Sequence, residues 1–86
     1  METDIKEVIW SLHKTNPGLM VKFWVEKKTI MPLSCGEYIE IRGKFISRKL
    51  LDILLDNRFE LQGIGTIKME SELNCSALFF RSEFVV

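Results

Sequence analysis

Two side chains in this sequence could begin covalent chemistry: the thiol of Cys35 and the lone imidazole of His13. A thiol acts as a nucleophile only as the thiolate, and it needs a base or an electropositive setting beside it. Cys35 stands in a Ser34-Cys35-Gly36 turn that would expose it, and His13 lies near the end of the first helical segment. No spacing joins them, so a loop cysteine and a surface histidine are the simpler reading. Two cysteines forty residues apart and one histidine lack metal-ligand spacing, so no metal and no cofactor are expected. Cys75 reads as a small core hydrophobe. A Cys35–Cys75 disulfide is disfavoured by a cytoplasmic setting, the default for a chain that starts Met1-Glu2-Thr3-Asp4 without an apolar leader. Gly63-Ile64-Gly65 is not a phosphate loop, because no lysine–hydroxyl pair follows it and the next segment is a strand. Carboxylates are scattered over exposed positions. The chain therefore reads as non-catalytic.

Binding chemistry is better represented. Twelve basic and twelve acidic side chains cancel, but they are segregated. Residues 1–13 carry net −2, residues 14–49 net +5 and residues 50–86 net −3. Strand alternation would put Lys22 and Trp24 on one outward face, joined by Tyr38, Arg42 and Lys44 from a neighbouring strand. Aromatics among cations on an open sheet can stack bases and neutralise phosphates. They can equally anchor a protein interface, where Trp and Tyr are favoured. Arg48 and Lys49 fall in the first turn of the second helix, where the dipole disfavours cations and an anion would offset the cost. The simpler readings are a solvated sheet and ion pairs within the fold. The apolar excess is a further clue. Met20, Trp24, Phe80 and Phe84 fall on the face away from the helices, and Trp10 lies off its own helical stripe. Contiguous apolar patches usually mark protein contacts.

The elements that must position these groups follow from periodicity. Asp4 to Thr15 is expected to be a helix, with Asp4 as N-cap, Glu7 three residues on, and Ile5, Val8, Ile9 and Leu12 on one face. Asn16-Pro17-Gly18 ends it. Leu19 to Glu26 alternates as a half-buried strand, with Leu19, Val21, Phe23 and Val25 inward. Lys27-Lys28 reads as a turn and Thr29 to Met31 as a short return strand before Pro32. Glu37 to Ile46 alternates again, with Ile39, Ile41 and Phe45 inward. Ser47 caps a second helix to about Asp56, with Ile46 and Leu51 at staple positions. Its leucines cover a wide arc, so it should be the more buried helix. Asn57 is the expected left-handed terminator. Phe59 to Glu70 and Cys75 to Val86 form two last strands, joined near residues 71–74. Gly63 and Gly65 suggest a bulge or bend in the first.

Eighty-six residues make one domain. A chain of this size buries roughly two-thirds of its unfolded surface, enough for one layer of helices on one sheet. No apolar run approaches the roughly 20 residues of a bilayer span. The order α-β-β-β-α-β-β with short connections predicts an α+β fold: a four- to five-stranded, mostly antiparallel sheet with two helices on one face. The expected function is a small cytoplasmic binding module (an adaptor, regulator or inhibitor) that works through protein–protein contacts and can pair with itself as a homodimer. The last strand, with nothing after it, is the expected pairing edge. The alternative is RNA or single-stranded DNA binding through the same face. The residues assigned to partner binding are Lys22, Trp24, Tyr38, Arg42, Lys44, Arg48 and Lys49.

Overall fold

The computed structural model describes residues 4–26 and 36–82. The order is α1 (Ile5–Thr15), β1 (Met20–Glu26), β2 (Gly36–Gly43), α2 (Arg48–Asp56), β3 (Glu60–Met69) and β4 (Glu72–Ser82). The fold is α+β, with a four-stranded antiparallel sheet in the order β1-β2-β4-β3. The strand anticipated at 29–31, Lys27-Lys28 and Cys35 lie outside the described residues, as does Phe84. No described helix is long and apolar enough to cross a membrane.

Both helices start where the sequence supplies a cap. Asp4 Oδ1 accepts from the Lys6 N–H at 3.1 Å, and Ser47 Oγ accepts from the Leu50 N–H at 3.2 Å. Each cap satisfies a donor that has no intrahelical partner, which contributes about 1 kcal/mol. The Asn16 side chain donates to Ser47 Oγ at 3.3 Å, tying the end of α1 to the start of α2. Asn57 does not take the left-handed conformation (φ −100°). Arg58 does, at φ 68°. Asn57 instead donates Nδ2 to the Ile53 carbonyl at 2.7 Å, which occupies one of the last open carbonyls of α2.

The core lies between the helices and the odd-numbered face of the central strands. Val8 and Leu12 of α1 and Leu50 and Leu54 of α2 pack with Ile39, Ile41, Ala77 and Phe79, all fully buried. Burial of each large side chain contributes roughly 1.5–3 kcal/mol. Each helix has two fully buried residues, so α2 is not the more deeply buried, and Leu55 points outward. Phe45 is also exposed, because β2 ends at Gly43 and the alternation stops there. Gly43 has a spatial reason: a Cβ there would stand 2.7 Å from a Leu19 methyl that fills the same space.

β3 and β4 form a hairpin closed more tightly than expected. The turn is Glu70-Ser71, both at positive φ (50° and 70°), and β4 begins at Glu72 rather than Cys75. Two positive φ values suit the right-handed twist of a two-residue hairpin. The anticipated bulge is present, as a register shift between Leu61 and Gly63. β2 and β3 both pair antiparallel with β4, so they run in the same direction. The β2–β3 connection, including α2, therefore carries the chain past the position that β4 fills. This makes β4 an interior strand and β3 an edge over the described residues, which corrects the expectation that the last strand is the edge.

Candidate functional site

The even-numbered face of β1, β2 and β4 is covered by no described helix or strand. Side chains alternate across a strand, so the residues that bury Ile39, Ile41 and Phe79 on one side must present Tyr38, Glu40, Arg42 and Phe80 on the other. The register aligns them in rows. Trp24 lies opposite Tyr38, and Tyr38 opposite Phe80. Lys22 lies opposite Glu40, and Glu40 opposite Leu78; Met20 lies opposite Arg42.

The first row is a continuous aromatic ladder. Trp24 and Tyr38 stack with ring centroids 5.1 Å apart and planes 6° apart. Tyr38 and Phe80 follow at 4.9 Å and 47°. Parallel rings separated by about one inter-strand spacing stand upright on the sheet, so they show solvent their edges rather than their faces. The Lys22 ammonium lies 5.3 Å from the Trp24 ring centre, within cation–π range. Gly36 makes room for the paired strand and the end of the ladder: a Cβ there would collide with the Arg81 backbone carbonyl and stand 2.6 Å from an atom of the Phe80 ring.

The seven sequence-assigned residues do not form one patch. Lys22, Trp24 and Tyr38 come together, and Phe80 joins them. Arg42 shares their face but is four positions along β2 from Tyr38, and it is ion-paired with Glu40 at 3.1 Å. Lys44 lies beyond the end of β2, 4.0 Å from Glu72. Arg48 and Lys49 project from the helical layer on the opposite side of the sheet. The face is not basic. Lys22 and Arg42 are set against Glu26, Glu40 and, at the β3 end of the aromatic row, Glu60. The +5 segment of the sequence is thus dispersed over several surfaces.

Among the described residues no group of three His, Cys, Asp or Glu side chains could hold a metal ion. Cys75 is a free, half-buried thiol whose sulfur lies 3.7 Å from the Lys44 carbonyl. His13 is exposed near the end of α1.

One polar cluster was not anticipated. Arg81 is almost fully buried on the helix side of β4. Its Nε and Nη2 reach Glu37 Oε1 at 3.1 and 3.0 Å, and Nη1 donates to the Asn57 carbonyl at 3.0 Å. The guanidinium lies 4.5 Å from the Phe59 ring centre. It therefore serves as a C-terminal cap for α2, where a cation complements the helix dipole. The available signal was parity: Arg81 sits two residues after Phe79, on the inward side. No family model, curated protein or solved structure matches this chain.

Proposed function

We propose that this chain is a non-catalytic protein-binding module, an adaptor, regulator or inhibitor, that grips its partner with the Trp24–Tyr38–Phe80 ladder. The observation that carries this reading is the ladder itself: three aromatic side chains in a row on a sheet face that no described element covers. Aromatic anchors supply large contact area with few rotors to immobilise. Lys22, Arg42, Glu40 and Glu60 would form a mixed polar rim that selects orientation. The free thiol of Cys75 accords with a cytoplasmic setting.

Nucleic-acid binding, the alternative, is disfavoured by two features of the same face. Base stacking needs an open ring face, whereas one face of Trp24 is taken by Tyr38. Phosphate binding needs accumulated positive charge, whereas Arg42 is paired with Glu40 and the flanking charges nearly balance. A photo-crosslinking residue placed at position 22 should capture a protein in the host lysate. The same residue at Asp52, on the helical layer, should not, and Trp24→Ser should abolish the capture with the circular dichroism spectrum unchanged. Retention on an oligonucleotide column at low salt, lost with Lys22→Ala, would instead favour the nucleic-acid reading.

A further inference from the structure

A partly open cleft lies where α1 ends and α2 begins. One wall is residues 15–19, the turn between α1 and β1. The other is Lys44 and Phe45, in the link between β2 and α2. The Asn16–Ser47 hydrogen bond, 3.3 Å, ties the two walls together. The volume is about 290 Å³, near the lower end for small-molecule sites, so the cleft suits a single ring or a short chain.

Two residues of the lining do little for the fold. Phe45 keeps 64% of its surface in water and adds little to the core. Gly18 does not take a positive φ, and nothing lies within 4 Å of the place its Cβ would occupy. Neither the backbone nor crowding calls for glycine there, in contrast to Gly36 and Gly43. What glycine does at position 18 is leave that wall of the cleft bare.

The charge around the cleft is positive. Lys44 belongs to the lining, and Lys14 adjoins Thr15 in the chain. His13 and Lys14, in the last turn of α1, offset the partial negative charge of that helix end. The Asn16 N–H also occupies the Leu12 carbonyl, at 3.0 Å. Lys44 has Glu72 beside it at 4.0 Å, but both side chains are largely exposed, so the pair is weak and another carboxylate can replace it.

We propose that this cleft binds a small organic anion. Its apolar body, an aromatic ring or a short aliphatic chain, lies against Phe45, Pro17 and the bare Cα of Gly18. Its carboxylate accepts from the Lys44 ammonium in place of Glu72. An amine of the same shape meets like charge, and a neutral amide gains only the apolar contact. The cleft is at the Gly43 end of the sheet and the aromatic ladder at the Gly36 end, so the two sites are occupied independently.

Nuclear magnetic resonance titration with phenylacetate tests the proposal, with phenylacetamide and phenethylamine as the neutral and cationic counterparts. Phenylacetate should shift the backbone amide signals of Gly18, Leu19 and Phe45 along one saturating curve in the millimolar range. The Trp24 indole N–H should stay in place. Phenylacetamide should bind roughly fivefold more weakly, the worth of one exposed charge pair, and phenethylamine more weakly still. Lys44→Met should weaken phenylacetate binding by about the same factor, and Glu72→Gln should strengthen it. Gly18→Leu should abolish the shifts at Leu19 and Phe45 with the melting temperature unchanged, because the new side chain meets only the cleft. An absence of shifts at these residues up to the solubility limit of phenylacetate overturns the proposal. So does equal binding of phenylacetamide, or binding that survives Gly18→Leu.

Discussion

The two faces of the sheet each carry an arginine–glutamate pair on the central strands, and the pairs behave differently. Arg81 and Glu37 lie directly opposite each other on the helix side, with side chains 5% and 25% exposed. Arg42 and Glu40 lie on the outer face, two residues apart on β2, with side chains 42% and 23% exposed. Their N···O distances are almost the same, 3.0 and 3.1 Å. The surroundings differ. Arg81 has Phe59 beside it and the Asn57 carbonyl at Nη1, whereas Arg42 is partly bathed in water and its Nε, though enclosed, has no hydrogen-bond partner. Matching distances thus do not make equivalent interactions. Removal from water makes the first pair costly to break, and solvent screens the second.

The same contrast separates two adjacent phenylalanines. Phe79 is fully buried between sheet and helices, while Phe80 ends the outer ladder. The largest expected effect is therefore Phe79→Ala, at about 3–5 kcal/mol of stability from lost burial and the cavity left behind. Phe80→Ala, one residue on, should cost only about 1–2 kcal/mol, the worth of cross-strand and aromatic contacts. Equal losses in urea unfolding would mean that the two faces are not distinct. Next in size is Glu37→Gln, which leaves a buried guanidinium without its carboxylate. It should cost about 2–4 kcal/mol, below the range for a fully buried pair because Glu37 keeps some solvent contact. Glu40→Gln should cost at most about 1 kcal/mol, and salt should reduce that further. Thermal melts of the two variants, measured side by side, place them on one scale. Gly36→Ala is expected to fall below Glu37→Gln. Its new methyl must displace both the Arg81 backbone carbonyl and the Phe80 ring, at about 1–3 kcal/mol. Combining Gly36→Ala with Phe80→Ala removes the ring clash but not the one with the Arg81 carbonyl, so the melting temperature should recover only in part; strict additivity would mean that the ring bears none of the strain.

Most of the architecture is local information and could be read from the chain. Period-two alternation put Trp24, Tyr38 and Phe80 on one face and Phe23, Ile39 and Ile41 on the other, because successive side chains in a strand must point to opposite sides. Asp4 and Ser47 marked the two helix starts because their side-chain oxygens accept from the first-turn N–H groups. The bulge near Gly63 followed from glycine in a strand interior. The partner-binding assignment was legible only in part. Lys22, Trp24 and Tyr38 came together, Arg42 shares their face but is paired with Glu40, and Lys44, Arg48 and Lys49 went elsewhere.

Tertiary structure decided the rest, because it depends on which strands meet and in what register. Nothing in the spacing of residues 60–82 required β4 to insert beside β2 and push β3 to the edge. That order opposes Arg81 to Glu37 and buries both in part, forty-four residues apart in the chain. It also leaves Leu61 and Ile64 beyond the helices, while the β1–β2 register sets Arg42 opposite Met20 rather than beside Trp24. Face is a property of each strand alone, whereas neighbours are a property of the whole sheet. Charge partners and open edges therefore emerge only when the sheet is assembled.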